Sequence, residues 1–259
     1  MASMVKMSPM AKSLKTEELS EVAGEPRSHP VLKPKPAGTL LILDEQNGRP
    51  HVLMGRRHKA HIFMPDVFVF PGGRVDRPDN HAPFHDDLTA PTLQRLMSSG
   101  LRSLATHRRA RAFALAAIRE TFEEVGMLIG EPPADKAIVA NRTWIPFLEH
   151  GLVPDLKPLR YVARAVTPPG LIRRYDTRFF AVPRAAVTLE LPESPTDELS
   201  ELSWIPLDHT DGYKVPNITK RVLDDVSARI AAEGSIHLRD DQPVPVYGFH
   251  HGRHHRHLA

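Results

Sequence analysis

The sequence contains no cysteine among its 259 residues. Disulfide bonds, zinc–thiolate sites and thiol nucleophiles are therefore excluded, and the redox compartment stays open. No apolar run approaches the roughly 18 residues that a membrane span needs, and the first residues contain no apolar segment typical of a secretory signal. We therefore expect a cytoplasmic protein without a membrane partner.

An excess of charge of one sign is also missing. The formal net charge is only +3, from 34 basic and 31 acidic residues that are mixed along the chain. Such a balance does not favour a nucleic-acid partner. The apolar share of 41% is sufficient for one sizeable core.

The domain organisation follows from composition. Residues 1–36 are polar and end in a proline-rich run, which is typical of a flexible N-terminal tail. A single domain is expected over 37–247, followed by a His-rich C-terminal tail at 248–259. Histidines in that tail have the chemistry to bind a transition metal, but a disordered or packing role is the favoured interpretation.

Strand and helix patterns alternate within the predicted domain. Apolar runs and turn residues predict strands at 39–43, 51–57, 67–70, 160–165, 176–182 and 202–205. Helical spacing of apolar residues predicts helices at 92–104, 108–128 and 217–232. Strands on both sides of a central helix indicate a mixed sheet with helices on its faces, hence an α/β or α+β fold.

Three glutamates stand out in the central predicted helix. Glu120, Glu123 and Glu124 lie at i, i+3 and i+4, which places them on one helical face, where like charges repel. Hard oxygen ligands on one face suit Mg²⁺ or Mn²⁺. A solvated acidic face is the alternative, but Arg119 directly precedes the cluster and a Pro-Gly-Gly turn ends at Gly73. These neighbours favour a metal site.

This stretch resembles the signature of the Nudix hydrolases: Gly, five residues, Glu, seven residues, then Arg-Glu-apolar-x-Glu-Glu-x-Gly-apolar. The positions that match its second half are Arg119, Glu120, Glu123, Glu124, Gly126 and Met127, with Thr121 at an apolar position. The first half begins at Gly73, and Asp79 replaces the expected glutamate. Gly73 and Arg119 are 46 positions apart, against 14 in the family, so about 32 residues are inserted.

The resemblance implies an α/β/α sandwich with a mixed sheet and an inserted helical segment, placed here at 80–112. It also implies metal-dependent hydrolysis of a diphosphate linkage. The implied ligands of Mg²⁺ or Mn²⁺ are Glu120, Glu123, Glu124 and the backbone carbonyl of Gly72. Glu120 is further implied as the general base or water-orienting group, held in place by Arg119. A base from a later loop is the alternative, with Glu198 and Glu201 as candidates, although a solvated loop is the more common role there.

One branch of the family carries such an insertion, the peroxisomal coenzyme A diphosphatase-like proteins and their bacterial relatives. The runs 63–76 and 174–180 are similar to that branch. The motif of coenzyme A-cleaving members is kept at Leu53, Arg57 and Asp76 but not at the serine, leucine, arginine and glycine positions between them. The resemblance therefore implies a nucleoside diphosphate linked to another moiety, with a coenzyme A- or acyl-CoA-like substrate as the leading case.

Other interpretations stay open at this point. One is a pyrophosphatase of ADP-ribose or dinucleotides, and another is a non-catalytic nucleotide-binding module on the same fold. Candidate substrate contacts are Arg56, Arg57, Asp79 and Glu198, and the two arginines could equally be exposed charges at a strand edge. The insertion at 80–112 is a candidate surface for a homodimer.

Overall fold

The computed structural model of the protein describes residues 32–58, 66–98, 106–133, 141–171, 173–250 and 253–259. Its strands are β1 (Lys35–Gln46), β2 (Arg49–Arg57), β3 (Phe68–Val69), β4 (Gly72–Arg74), β5 (Met127–Leu128), β6 (Gly130–Glu131), β7 (Val153–Pro154), β8 (Arg160–Val166), β9 (Tyr175–Pro183), β10 (Leu189–Glu190), β11 (Leu199–Pro206), β12 (Pro245–His250) and β13 (Arg253–Leu258). Its helices are α1 (Ala90–Ser98), α2 (His107–Val125), α3 (Ile145–Leu148) and α4 (Asn217–Glu233), with 3₁₀ turns at Arg77–His81 and Arg184–Ala186.

Nine of these strands form one mixed sheet. Its order is β11-β2-β1-β9-β8-β12-β13, with β3 beside β2 and β4 beside β1. Strand β1 runs parallel to β9 and antiparallel to β2, and β12 runs parallel to β8. The expectation of a mixed sheet is confirmed.

Helices α2 and α4 cover opposite faces of this sheet. Successive residues of a strand point to opposite faces, so Leu40 of β1 packs in the buried cluster of Ile118 in α2. Its neighbour Leu41 packs in the cluster of Val222 in α4. The molecule is therefore an α/β/α sandwich, as the sequence predicts.

Helix α2 begins and ends at residues that cap it. The Thr106 hydroxyl accepts a hydrogen bond from the backbone N–H of Arg109, and Gly126 adopts a left-handed conformation with φ of 72°. Glycine reaches that conformation without a steric penalty, which fixes the end of the helix there. The prediction of a helix over 108–128 was therefore three residues too long at its C-terminal end.

The inserted segment packs against the first turns of α2. Arg111 of α2 forms an ion pair with Asp87 and lies 5.1 Å from the ring centre of Phe84. The predicted helix of the segment is present as α1, which starts at Ala90. The predicted part at 99–104 lies outside the described residues.

The two chain ends differ in how far they are described. Of the predicted N-terminal tail, residues 1–31 lie outside the described part of the chain. Where a C-terminal tail is predicted, β13 pairs antiparallel with β12, and β12 joins the sheet beside β8. His254, His255 and His257 belong to the edge strand β13. The domain limits at 37 and 247 stay a prediction. No helix among the described residues is both long and apolar enough to cross a membrane.

Candidate active site

The glycine turn and the glutamate helix meet because β1 lies between them. Strand β4 pairs antiparallel with the start of β1, with Gly73 opposite Gly38. A Cβ on Gly38 would lie 2.1 Å from the carbonyl oxygen of Phe113 in α2. The absence of a side chain at Gly38 therefore lets the sheet approach the helix closely. The two halves of the signature meet in space despite the insertion.

Arg119 lies at the centre of the site and is only 3% exposed. Its Nε donates to Asp79 Oδ1 (3.0 Å), and its Nη2 donates to Asp79 Oδ2 (3.1 Å) and to the carbonyl of Arg74 (3.0 Å). Its Nη1 donates to Glu120 Oε1 (2.8 Å) and Glu123 Oε2 (3.1 Å). A guanidinium has five N–H donors, so every one is engaged. Burial alone would lower the pKa of Arg119, but its bonds to Asp79 and the nearby carboxylates raise it, and the group stays charged.

Asp79 is completely buried behind Arg119. Its two oxygens accept from Arg119, from the Trp144 indole Nε1 (3.2 Å) and from the backbone N–H of Asp76 (2.8 Å). A carboxylate has about four acceptor sites, so none is left over. The expectation that Asp79 contacts the substrate is wrong, because the side chain is enclosed and saturated. It orients Arg119 instead.

The three glutamates differ in exposure and partners. The side chains of Glu120 and Glu123 are 15% and 32% exposed and share Arg119. Glu124 is buried, and its Oε2 accepts from the backbone N–H of Gly72 at 2.9 Å. The contact of Gly72 with the cluster thus runs through its N–H, whereas the sequence resemblance implies a role for its carbonyl.

The electrostatics of the site favour an added cation. Burial raises the pKa of Glu120 to about 7; the charge of Arg119 opposes this shift, and Glu123 and Glu198 add to it. Burial likewise raises the pKa of Glu123, and raises that of Glu124 well above its ordinary value. Each shift reports a carboxylate that is costly to ionise where it stands. A set of oxygen donors with these shifts fits a hard divalent cation, whose charge would offset the repulsion.

A second group of candidate metal ligands includes none of these glutamates. The ligand atoms of His85, Asp86 and Asp155 all lie within 4.8 Å of one another, the one such group of three among the residues described. Lys157 Nζ already binds Asp86 at 2.9 Å. On α2 the carboxylates do not converge in this way, since Arg119 binds both Glu120 and Glu123 while Gly72 holds Glu124.

The two arginines at the end of β2 have different surroundings. Arg57 pairs with Glu198 at 3.1 Å, and Glu198 lies near enough to raise the pKa of both Glu120 and Glu124. Arg56 pairs with Asp66 and with Glu201, at 2.6 and 2.9 Å. The structure therefore brings Arg57 and Glu198 to the glutamates, while Arg56 is engaged by two other acids.

Two features of the site were not predicted from the sequence. Trp144, the residue before α3, donates to Asp79 from 65 positions away, and Arg74 supplies a backbone acceptor to Arg119. No motif includes Trp144. Its indole N–H was the one available signal, because a tryptophan in an otherwise apolar segment needs a partner when it is buried.

Gly73→Ala is expected to reduce hydrolytic activity about 100-fold, the scale that a misplacement of roughly 1 Å produces. A Cβ at this position would lie 2.4–2.5 Å from the carboxylate atoms of Glu120, so either the turn or Glu120 must move. Steady-state kinetics will measure the effect. Gly212→Ala is the matched control, because a Cβ added there would have no atom within 4 Å. Activity of the Gly73 variant within twofold of the wild type would contradict the packing described.

The metal-free protein is expected to lose stability as the pH rises from about 5 to about 8. Folded Glu120 has a pKa of about 7, against an ordinary value of 4.5, so between these values the folded state binds more protons. The loss from this group amounts to about 3 kcal/mol once it is ionised. Thermal melting of wild type and Glu120→Gln across this range isolates the effect, since the variant lacks the titrating group. If stability changed equally with pH in the two proteins, the loss could not be assigned to Glu120. Mg²⁺ should raise the melting temperature of the wild type more at pH 8 than at pH 5.

The chain was compared with known protein families, curated proteins and solved structures. No protein-family model matches the chain, and no curated protein matches it. Among solved structures the chain is similar to a NUDIX hydrolase from Alicyclobacillus acidocaldarius, with 26% identity, a TM-score of 0.61 and coverage of 83% of this chain and 100% of that one. It is also similar to the NUDIX domain of Shewanella oneidensis NrtR complexed with ADP ribose (10% identity, TM-score 0.43, 77% and 90% covered) and to the Nudix hydrolase RenU from M. smegmatis (14%, 0.40, 76% and 87%).

The match to the Alicyclobacillus enzyme, together with the α/β/α architecture, supports the Nudix superfamily and confirms the expected fold class. The chain is an enzyme similar to the Nudix hydrolases.

Proposed function

We propose that the protein is a metal-dependent hydrolase that cleaves the diphosphate linkage of a nucleoside diphosphate joined to another moiety. The observation that carries this proposal is Arg119, a buried guanidinium whose five donors tie Asp79 and the β4 backbone to Glu120 and Glu123. A site this ordered holds carboxylates in place although they repel one another. Such an arrangement is expected where the carboxylates bind a cation.

Glu120, Glu123 and Glu124 would hold Mg²⁺ or Mn²⁺, and the carbonyl of Gly72 is a further candidate ligand. When bound, the cation neutralises diphosphate charge and makes water more acidic. The Gly72 N–H donates to Glu124 Oε2, which orients this carboxylate toward the glycine turn. The site residues and the identity of the ion are part of the proposal.

Glu120 is the proposed general base. A pKa of about 7 in the metal-free protein is near the pH at which a base combines the unprotonated form with useful basicity. Arg119 binds Glu120 Oε1, which fixes the carboxylate and leaves Oε2 without a bond to the guanidinium. Glu198 is the second candidate, because its charge acts on Glu120 and Glu124 from the β11 side of the site.

Arg57 is the proposed substrate contact of the two arginines. It lies beside Glu198, which is close to the glutamates, and it has a side chain only 20% exposed. A guanidinium in that position suits a phosphate, which it can bind through two parallel hydrogen bonds. Arg56 is the second candidate, and its guanidinium pairs with Asp66 and Glu201.

A coenzyme A- or acyl-CoA-like compound is the proposed substrate class. The support is Leu53, Arg57 and Asp76, which keep the family's coenzyme A motif in part, together with the inserted segment. The test compares hydrolysis of acyl-coenzyme A, ADP-ribose, dinucleoside polyphosphates and sugar nucleotides with Mg²⁺ present. Preference for the coenzyme A compounds supports the class, and preference for ADP-ribose or a dinucleotide would replace it with the alternative pyrophosphatase.

A non-catalytic nucleotide-binding module is the competing function. Loss of site carboxylates would favour it, and Glu120, Glu123 and Glu124 are all present on one helix. Calorimetric binding of nucleotides without any product would establish it. Homodimerisation through 80–112 stays a prediction, which light scattering tests.

A further inference from the structure

We propose that Trp144 is a positioning residue of the active site, which acts through Asp79 and Arg119 on the glutamates of α2. The inference rests on the proposed function, because it assigns Trp144 a part in holding the same carboxylates. It concerns a residue outside the signature, 18 positions beyond Gly126.

Trp144 is fixed from several sides. It is completely buried, and its ring packs edge-on against Phe147, with ring centres 5.6 Å apart. Phe147 in turn packs edge-on against Phe122 of α2, at 5.5 Å. The residue therefore belongs to a rigid contact between α3 and the back of the glutamate helix.

The indole N–H of Trp144 orients the Asp79 carboxylate through a hydrogen bond. Trp144 Nε1 donates to Asp79 Oδ1, and the backbone N–H of Asp76 donates to Oδ2. One donor on each oxygen, both independent of Arg119, sets the plane of the Asp79 carboxylate. Hydrogen bonds to carboxylates depend on direction, so this plane is well defined.

The orientation of the Asp79 carboxylate determines the orientation of the Arg119 guanidinium. Two of its nitrogens, Nε and Nη2, bind the two Asp79 oxygens in a bidentate pair. Because a guanidinium is planar, fixing this edge also fixes the direction of Nη1. It is Nη1 that binds Glu120 and Glu123. A rotation of Asp79 would therefore displace both glutamates.

The chain offers a pair of variants that separates this role from simple packing. Trp144→Phe keeps an aromatic ring but removes the N–H. Phe147→Leu trims the same buried cluster without touching Asp79. If Trp144 acts only by packing, both variants should lose stability. Both should then also bind the cation as the wild type does.

The test measures Mn²⁺ binding by calorimetry for wild type, Trp144→Phe and Phe147→Leu, after thermal melting shows that each is folded. We expect Trp144→Phe to weaken Mn²⁺ binding about tenfold, the low end of the range for residues that orient metal ligands. Phe147→Leu should bind Mn²⁺ as the wild type does. Equal affinities for Trp144→Phe and wild type would overturn the inference and leave the proposed function intact. A wild type that binds no divalent cation would overturn the proposed function, and the inference with it.

A spectroscopic readout covers the case in which Trp144→Phe does not fold. The chain has two tryptophans, so a ¹⁵N-labelled sample shows two indole N–H signals, which Trp204→Phe assigns. The Trp144 signal should be strongly protected from hydrogen exchange and should shift when Mg²⁺ is added, because the chain of bonds leads to the cation ligands. An indole signal of Trp144 that exchanges rapidly or ignores Mg²⁺, while the cation binds, would contradict the positioning role.

Discussion

Glu120→Gln is expected to lower kcat for diphosphate hydrolysis by about 10²–10⁴-fold, the contribution of a positioned acid–base group. Glutamine has nearly the same shape, so Arg119 keeps its bonds to Asp79 and the helix keeps its packing. The variant lacks the negative charge and the basic oxygen of Glu120, a carboxylate whose pKa lies near 7. Steady-state kinetics with saturating Mg²⁺ will measure the change.

Stability separates this loss from misfolding. At pH 8 the metal-free variant should be at least as stable as the wild type, because ionised Glu120 costs about 3 kcal/mol where it is buried. Glu149→Gln is the control, since Glu149 is exposed at the end of α3. A Glu120 variant with wild-type kcat would remove the assignment of Glu120 as base.

Arg119→Met is expected to lower the free energy of unfolding by about 3–5 kcal/mol, the range for one partner lost from a buried ion pair. Methionine fills part of the volume but donates no hydrogen bond. Asp79, which has no solvent exposure, would lose its main partner and remain as a buried carboxyl group with two donors fewer. Urea denaturation will measure the loss, and hydrolysis should fall with it because Glu120 and Glu123 lose their common donor.

A double variant identifies the cause of this destabilisation. Asp79→Asn removes the buried charge, so adding it to Arg119→Met should cost less than the two single changes together. Strict additivity of the free energies of unfolding would show that Asp79 and Arg119 act independently. That result would contradict the pairing described.

Local patterns allowed the helix that carries the three glutamates to be predicted well. The spacing of Glu120, Glu123 and Glu124 within one helix fixes their common face by geometry alone, and Arg119 adjoins them in sequence. The end of α2 at Val125 was less predictable, because it depends on the left-handed conformation of Gly126 in a helix whose apolar pattern continues.

Contacts between distant parts of the chain were not predictable in the same way. Asp79 looked like a shortened signature residue open to substrate, whereas its burial depends on Trp144, 65 positions away. The Arg57–Glu198 pair joins residues 141 positions apart, on β2 and beside β11. No local pattern specifies such long-range contacts, because they depend on the order of the strands in the sheet.

The C-terminal strand β13 was not predicted from the sequence, for a different reason. A run rich in histidine and arginine has no apolar alternation and was interpreted as a tail. In the structure the backbone of Arg253–Leu258 pairs with β12, and Arg256 binds Asp225 of α4 at 2.7 Å. Backbone pairing and one ion pair order the segment without an apolar face.

Product analysis with a broad panel of nucleoside diphosphate derivatives tests the central claim most directly. The folded protein, incubated with Mg²⁺ or Mn²⁺, should convert at least one compound into two phosphate-bearing products, and both a chelator and Glu123→Gln should suppress the reaction. Absence of any product from a folded protein, or hydrolysis unchanged in Glu123→Gln, would contradict the assignment of the glutamate helix as a metal–diphosphate site.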